Sequence, residues 1–383
     1  MPFERVMDAR EWFEVYLHEP TFTLTCEGYV TATSGPSPEL WLFAVDDGST
    51  TDVMLSAEAG GGLYMARIDP ISDFTPDSTG STTGTFTVSG GSWTLIDVPF
   101  NFGLSDHWHV YAHGFHWLSC NDAEAEGIGD IYLVQMDSAL GTASAPGYVQ
   151  AVSSTDSTLA KTFAPQFYTD VGATNDHFMI EMWSGLGIGV GHDDNAKLRM
   201  VFFDKSLGLR TNRSSGLTYG DAAMGIPGQQ FSAGGFAFRE PESDDWNLMA
   251  PNTMAWASGG PLRFWRTTGN SWTEVAEVMN FEQTGYHIAM PYVVRIGWYY
   301  VMTYRRVSTA GAYGSDSGDI VREVYNNIWA LETTEVLLAA SSSRAGNRPH
   351  CQRWGNYLIT CWDEWDDDAG TGLGAYMRVE AVS

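Results

Sequence analysis

Along most of this chain, apolar and polar residues alternate in short runs separated by glycine-containing turns. A period of two is what a β-strand imposes, because successive side chains point to opposite faces of a sheet. The runs that open near Asp130, Leu198, Pro261, Asp319 and Gly374 carry alternating apolar residues that fit a sheet packed on both faces. Only the opening stretch departs from this pattern. There Phe3, Val6, Met7, Phe13, Tyr16 and Leu17 fall at roughly helical spacing, which predicts a cap or docking segment over residues 1–21.

The runs are themselves periodic. Segments that begin at Pro165, Pro227, Pro291 and Pro349 share one form: a proline, a strand of about five residues, a glycine-containing turn, and a second aromatic-rich strand. A fifth segment begins at His107 with the same form, and the five starts are 58, 62, 64 and 58 residues apart. A third strand follows each pair, and a fourth follows most of them, near Gly147, Ser271 and Thr334. Four strands per unit is the blade of a β-propeller.

Residues 38–98 contain the same parts in the same order, with strands opening near Pro38, Asp52, Leu63 and Ser92, and Ser92-Trp93-Thr94 echoing Ser271-Trp272-Thr273. The last unit ends at Ser383 after three strands. Gly28-Tyr29-Val30 resembles Gly147-Tyr148-Val149, a fourth strand elsewhere. The expectation is an all-β, six-bladed propeller over residues 22–383, with the strand at 22–33 closing the last blade and so covering an exposed edge. A five-bladed ring with an N-terminal β-sandwich is the alternative. The Ser, Thr and Gly-rich stretch from Asp73 to Gly91 reads as a long outer loop or hairpin tip.

Composition narrows the function classes. Forty-seven acidic residues against 20 basic ones give a formal charge of −27, a field that repels phosphate backbones and argues against nucleic acid as a partner. Just three of the basic residues are lysines, Lys161, Lys197 and Lys205. The four cysteines, Cys26, Cys120, Cys351 and Cys361, have neither the number nor the spacing of a disulfide framework or zinc site, and are expected as free thiols. The start lacks the basic and apolar regions of a secretion signal, and the chain has no uncharged apolar run of 18 residues, so no membrane insertion is expected. Release as part of a virus particle, or an extracellular setting, is favoured over the cytoplasm.

In a propeller the first strand of each blade lines the axis, which makes Asp106, His107, His109, Gln166, Gln229, His287, His350, Gln352 and Arg353 the candidate ligand contacts. Imidazoles and amides beside aromatic rings suit sugar hydroxyls better than phosphates or metals. His107, His109, His113 and His116 crowd one hairpin, with His107 and His109 on one face. The acidic run Asp363-Glu364-Trp365-Asp366-Asp367-Asp368 offers Asp363, Asp366 and Asp368 as weak Ca²⁺ ligands, though a solvated turn is the stronger reading in so acidic a chain.

Phe163-Ala164-Pro165 followed by an aromatic strand, with Phe202-Phe203-Asp204-Lys205-Ser206-Leu207-Gly208, resembles the propeller glycosidases of the arabinanase and xylosidase type, at blade level over roughly 104–383. The resemblance implies a base Asp opening the first blade, a tuning Asp after Ala-Pro in the second, and an acid Glu before a later proline. Asp106 matches the first; Gln166 stands in the second place, and Ala289-Met290-Pro291 stands where the Glu-Gly-Pro turn with the third carboxylate belongs. Glycoside hydrolysis needs paired carboxylates. The reading favoured here is therefore a recognition or structural propeller, such as a tail fibre or receptor-binding protein, that meets a glycan or protein surface, alone or as a homo-oligomer. The alternative is a glycoside hydrolase or lyase with displaced groups: Asp106 as base and Glu181 or Glu240 as acid.

Overall fold

Strand after strand turns back on its predecessor through a tight turn, so that each repeat folds into its own antiparallel sheet. A computed structural model describes residues 18–33, 40–59, 62–96, 107–112, 114–121, 131–137, 147–152, 161–171, 176–184, 197–203, 236–240, 245–251, 262–268, 271–308 and 318–383. Among these the strands form six sheets. The first holds Leu40–Val45, Val53–Ala59, Gly62–Ile68 and Thr94–Leu95; the second Trp108–Ala112, Phe115–Asn121, Ile131–Asp137 and Gly147–Val152. The third holds Lys161–Val171, Asp176–Ser184 and Lys197–Phe203; the fourth Phe236–Arg239, Trp246–Pro251, Leu262–Thr268 and Ser271–Phe281. The fifth is Tyr286–Ile296, Tyr299–Ser308, Asp319–Tyr325 and Leu331–Leu338. The sixth runs Ala345–Trp354, Tyr357–Asp366, Thr371–Val382, then Phe22–Thr31, Thr83–Thr87 and Phe74–Pro76.

The sheets stack face to face about their first strands, the arrangement of a β-propeller. The Leu40–Val45 strand touches both Trp108–Ala112 and Ala345–Trp354, and Tyr286–Ile296 touches Phe236–Arg239 and Ala345–Trp354. Between the first and sixth sheets lies a core of Val30, Leu42, Val53, Leu55, Ile359, Met377 and Val379. Met54, Met65, Leu118 and Val134 join the first to the second, and Ile296, Val301, Cys351 and Leu358 the fifth to the sixth. Cys26, Cys351 and Cys361 are buried free thiols.

Aromatic rings close the axis. Phe43 packs on His107, Trp108 and His350; Trp108 packs on Phe236 and Tyr292; and Tyr292 meets Phe236 and, edge-on at 4.2 Å, His350. First strands from five sheets thus meet in one cluster, where a channel lined by polar groups was expected. A second cluster centres on Trp329, stacked on Tyr300 at 4.2 Å and packed on Phe264 and Phe281.

Pro165, Pro291 and Pro349, the repeat prolines among the described residues, do not open their strands. They sit inside them, at bulges, because proline has no N–H to give the ladder. Ala164-Pro165, Met290-Pro291 and Arg348-Pro349 each insert one extra residue opposite the second strand. Met290 and Arg348 adopt left-handed backbone angles there, with φ of 52° and 48°.

Three segments sharpen or correct the expectation. Among the described residues Phe236–Arg239, expected as a second strand, is the first of the fourth sheet, with Trp246–Pro251 beside it, and its Phe236 ring meets Trp108 and Tyr292 on the axis. The 73–91 stretch folds into a hairpin whose Thr83–Thr87 strand pairs in parallel with Phe22–Thr31. Gly28 and Gly84 permit that approach, since a β-carbon on Gly28 would lie 1.9 Å from the Gly84 carbonyl oxygen. Asp363 and Glu364, read as a solvated turn, are fully buried in a strand. The opening stretch from Phe3 to Leu17, expected from its helical spacing as a cap or docking segment, lies outside the described residues.

Phe22–Thr31 pairs antiparallel with Thr371–Val382. Glu364 anchors the pair by accepting hydrogen bonds from Tyr29, Trp362 and both nitrogens of a bidentate Arg344. Buried Arg322 of the fifth sheet pairs with buried Glu380 of the sixth, its guanidinium 4.0 Å from the Phe22 ring centre. Arg322→Met should cost about 3 kcal/mol in urea unfolding, because it leaves the buried Glu380 carboxylate with Arg378 as its one remaining guanidinium partner among the described residues, and adding Glu380→Leu should restore part of that loss. A single-variant cost below about 1 kcal/mol would show that the pair is solvated.

Candidate functional site

At one end of the ring, where first strands begin and second strands finish, charged side chains are buried together. The ladder sets this up: Leu40 faces Glu58, Ala289 faces Arg305, and Asn347 faces Asp363, three equivalent positions in the first, fifth and sixth sheets. Glu58 is 5% exposed and Asp363 fully buried. Arg348, thrust out by the bulge, acts electrostatically on both carboxyls. Arg305 donates to Asn347 Oδ1 at 2.7 Å, and the Trp365 indole N–H donates to Asp363 Oδ2 at 2.7 Å. Asp363 Oδ1 has no hydrogen-bond donor among the described residues.

Burial dominates the acidity of this group. It pushes the Glu58 carboxyl up to about 8 against the pull of Arg348, and it raises Asp363 against Arg348 and the Trp365 hydrogen bond. Glu58 therefore carries its proton at neutral pH and acts as a donor, beside guanidinium donors and an amide. Such a set can hold hydroxyl or carboxylate oxygens.

From Glu58 a line of polar groups runs inward. His107 Nδ1 lies 3.8 Å from Glu58 Oε1, and Ser56 Oγ contacts His107 Nε2 at 2.9 Å and His109 Nδ1 at 3.1 Å. His109 Nε2 meets His116 Nδ1 at 2.9 Å, and His116 Nε2 lies 3.6 Å from Asp47 Oδ2. Desolvation holds His109 well below the usual histidine range, with the neighbouring imidazoles adding to it; desolvation also brings His350 down to about 3.

Of the expected contacts, His107 and His109 are brought together through Ser56, and His350 packs between Phe43 and Tyr292 on the axis. His287 is buried at the start of its strand, on the end that carries Arg305. Gln352 and Arg353 lie by the Gly355 turn, at the other end of the strand from Asn347. Asp106, Gln229 and the Gln166 side chain lie outside the described residues, as do His113 and the Glu181 side chain. Glu240 accepts from Asn247, Arg266 and Tyr300, bridging the fourth and fifth sheets.

Asp363, Asp366 and Asp368 do not converge on one point: Asp363 is interior, Asp366 accepts from the Ala369 amide in a turn, and the Asp368 amide bonds Ser342. Among the described residues no three His, Cys, Asp or Glu are placed to hold a metal ion, and no helix is long and apolar enough to cross a membrane. Ser56, Glu58, Arg305, Asn347 and Arg348 escaped the sequence reading. Ser56 and Glu58, polar and two apart within the apolar run Val53–Ala59, were the available signal.

No family model matches this chain, and no curated protein does. Solved structures with a similar course include an exo-β-1,3-galactanase from Phanerochaete chrysosporium, 10% identical over 73% of this chain with a TM-score of 0.49. This chain spans 60% of that one. An endo-arabinase from Bacteroides thetaiotaomicron is 12% identical over 72% of this chain and 93% of its own (TM-score 0.47), and a Bacillus subtilis arabinanase is 9% identical over 73% and 94% (TM-score 0.46). These belong to the group of propeller glycosidases that the blade pattern resembles. At such identities nothing about activity carries over.

Unfolded, Glu58 ionises near its ordinary 4.5; folded, it keeps its proton to about 8. The stability it contributes is thus full below about 4.5 and is lost progressively as pH rises through about 8. Glu58→Gln cannot ionise and should escape that loss, gaining on the wild type by a few kcal/mol, to order of magnitude, as pH is raised across this window. Thermal melts that stay parallel for the two proteins would show Glu58 ionising normally.

Proposed function

We propose that this chain is a recognition propeller that binds a carbohydrate at the end of the ring where Glu58, Arg305, Asn347, Arg348 and Asp363 gather. One observation carries the reading: polar side chains from three sheets converge there, directly over an axis filled by aromatic rings. A ligand would rest on that end and could not thread the ring. Donors from guanidinium, amide and protonated carboxyl suit hydroxyl oxygens, and the left-handed backbone of Met290 and Arg348 is a strain of the sort that accumulates at binding sites. In this reading the six sheets act as six blades of one ring, and Phe22–Thr31 is the outer strand of the last. The setting proposed is a glycan-bearing surface met by a virus particle or by a neighbouring cell, and the acidic charge weighs against nucleic acid as the partner.

One feature favours a second reading, a glycoside hydrolase or lyase. A carboxyl that is still protonated at neutral pH is what a general acid requires, and Asp363 is a second buried carboxyl facing the same Arg348. The two readings separate in one experiment: a glycan array run beside a turnover assay on natural polysaccharides. Recognition predicts array binding without product, weakened at least about tenfold by Arg348→Ala or Asp363→Asn in variants that keep the wild-type melting curve. Released sugar that disappears in Glu58→Gln supports hydrolysis. Neither binding nor product rejects both.

A further inference from the structure

The line Glu58, His107, Ser56, His109, His116, Asp47 spans the ring from one end to the other. Glu58 closes the second strand of the first sheet; Asp47 follows the end of the first strand, on the opposite side. His107 precedes its strand at the first end, and His116 stands beside the turn at the second. Its members are interior, with His109 1% and His116 0% exposed, while the ion pair that Asp47 makes with Arg67 at 2.7 Å reaches solvent through a guanidinium that is 30% exposed.

We propose that this line is a proton path that connects the buried Glu58 carboxyl to solvent at the opposite end of the ring. Each internal link needs one donor and one acceptor, and an imidazole or hydroxyl offers both. With Glu58 protonated and Asp47 ionised, one arrangement satisfies every link: the three imidazoles carry their proton on Nε2. Glu58 then donates toward His107 Nδ1, His107 Nε2–H to Ser56 Oγ, Ser56 O–H to His109 Nδ1, His109 Nε2–H to His116 Nδ1, and His116 Nε2–H faces Asp47 Oδ2.

Transfer moves each proton one link along. Glu58 loses its proton to His107 Nδ1, and His107 Nε2 releases its own to Ser56, whose hydroxyl proton passes to His109 Nδ1. His109 Nε2 gives to His116 Nδ1, and His116 Nε2 gives to Asp47. One proton has crossed, every imidazole is again neutral with its proton now on Nδ1, and no heavy atom has been exchanged. The two end gaps, 3.8 Å and 3.6 Å, close with a side-chain movement of about 1 Å to reach hydrogen-bond distance.

The charges around the line favour the starting arrangement, with the proton on Glu58 and Asp47 ionised, so transfer toward Asp47 runs uphill and is completed when base in the solvent takes the proton from that end. Asp47, although burial opposes it, is held below the usual carboxylate range by the Arg67 hydrogen bond, whereas Glu58 is held above it by burial, with only the Arg348 charge opposing. Asp52 also pairs with Arg67; His350 bears on His109 and the Tyr111 ring packs on His116. The path serves a ring that binds and a ring that cleaves equally well, so it stands apart from either reading of the ligand.

The test is the rate at which Glu58 changes protonation after a pH jump across its midpoint, read as its carboxyl infrared band and assigned with Glu58→Gln. Ser56→Ala removes the hydroxyl that both central links need. It should slow the band at least about tenfold while leaving the midpoint nearly in place, and Ser56→Thr should keep the wild-type rate. An unchanged rate in folded Ser56→Ala would mean that Glu58 exchanges its proton through its own end, and the path would be rejected. Nitrogen NMR of the wild type gives a check that needs no variant: below the Glu58 midpoint His107, His109 and His116 should all be Nε2–H tautomers, and a single Nδ1–H form among them breaks the line.

Discussion

First strands from separate sheets must meet on one axis without leaving a hole, and aromatic rings meet that demand. Phe43, Trp108, Phe236, Tyr292 and His350 come from five sheets and touch edge to face or offset, the contacts that ring quadrupoles prefer. Among the described residues the charged side chains of the site lie away from that point. The carboxyls and guanidiniums collect at one end, the Asp47–Arg67 pair at the other, and a single column of hydroxyl and imidazole groups passes beside the rings between them. Low polarity on the axis also explains the acidities, since it penalises every charged form nearby and drives Glu58 up and His350 down.

The bulges connect this packing to the site. A proline inside a first strand interrupts the ladder, and the residue before it turns out of the regular pleat; in the sixth sheet that residue is Arg348, which faces both buried carboxyls. An L-residue at positive φ carries a cost of order 1–2 kcal/mol, so the same geometry at Met290 and Arg348 is held by surrounding packing. The proline period that marks the repeats along the chain is therefore also what aims a cation at the site.

Much of the architecture was legible because period-two alternation and a repeat near sixty residues are both direct imprints of strand and sheet geometry. Val53–Ala59, Ile131–Asp137 and Asp319–Tyr325 stand close to where the alternation put them. Pairing between distant segments was harder. The 73–91 stretch stayed open between an outer loop and a hairpin tip because its Ser, Thr and Gly composition reports local flexibility and is silent about the Phe22–Thr31 strand that it joins. The site was hardest of all. Asp363 and Glu364 sit in a run of acids that composition assigns to solvent, yet Trp365, Arg344 and Tyr29 satisfy them inside a sheet. Glu58 was passed over because one carboxyl among apolar residues announces burial without naming its partners, which come from the sixth sheet and from His107.

The hairpin at residues 74–87 lies in the chain between the third and fourth strands of the first sheet, yet it is hydrogen-bonded into the sixth. The sixth sheet consequently holds two pieces of the chain that belong in sequence with the first: Phe22–Thr31 leads into the first sheet, and the hairpin leaves the first and returns to it. One ladder joins the chain's beginning to its end, and the hairpin backs the N-terminal strand of that ladder from the other side. Pulled by its termini, the joint would open from the Phe22 and Val382 pair inward, one rung at a time, while the hairpin keeps Phe22–Thr31 tied to the N-terminal part of the chain.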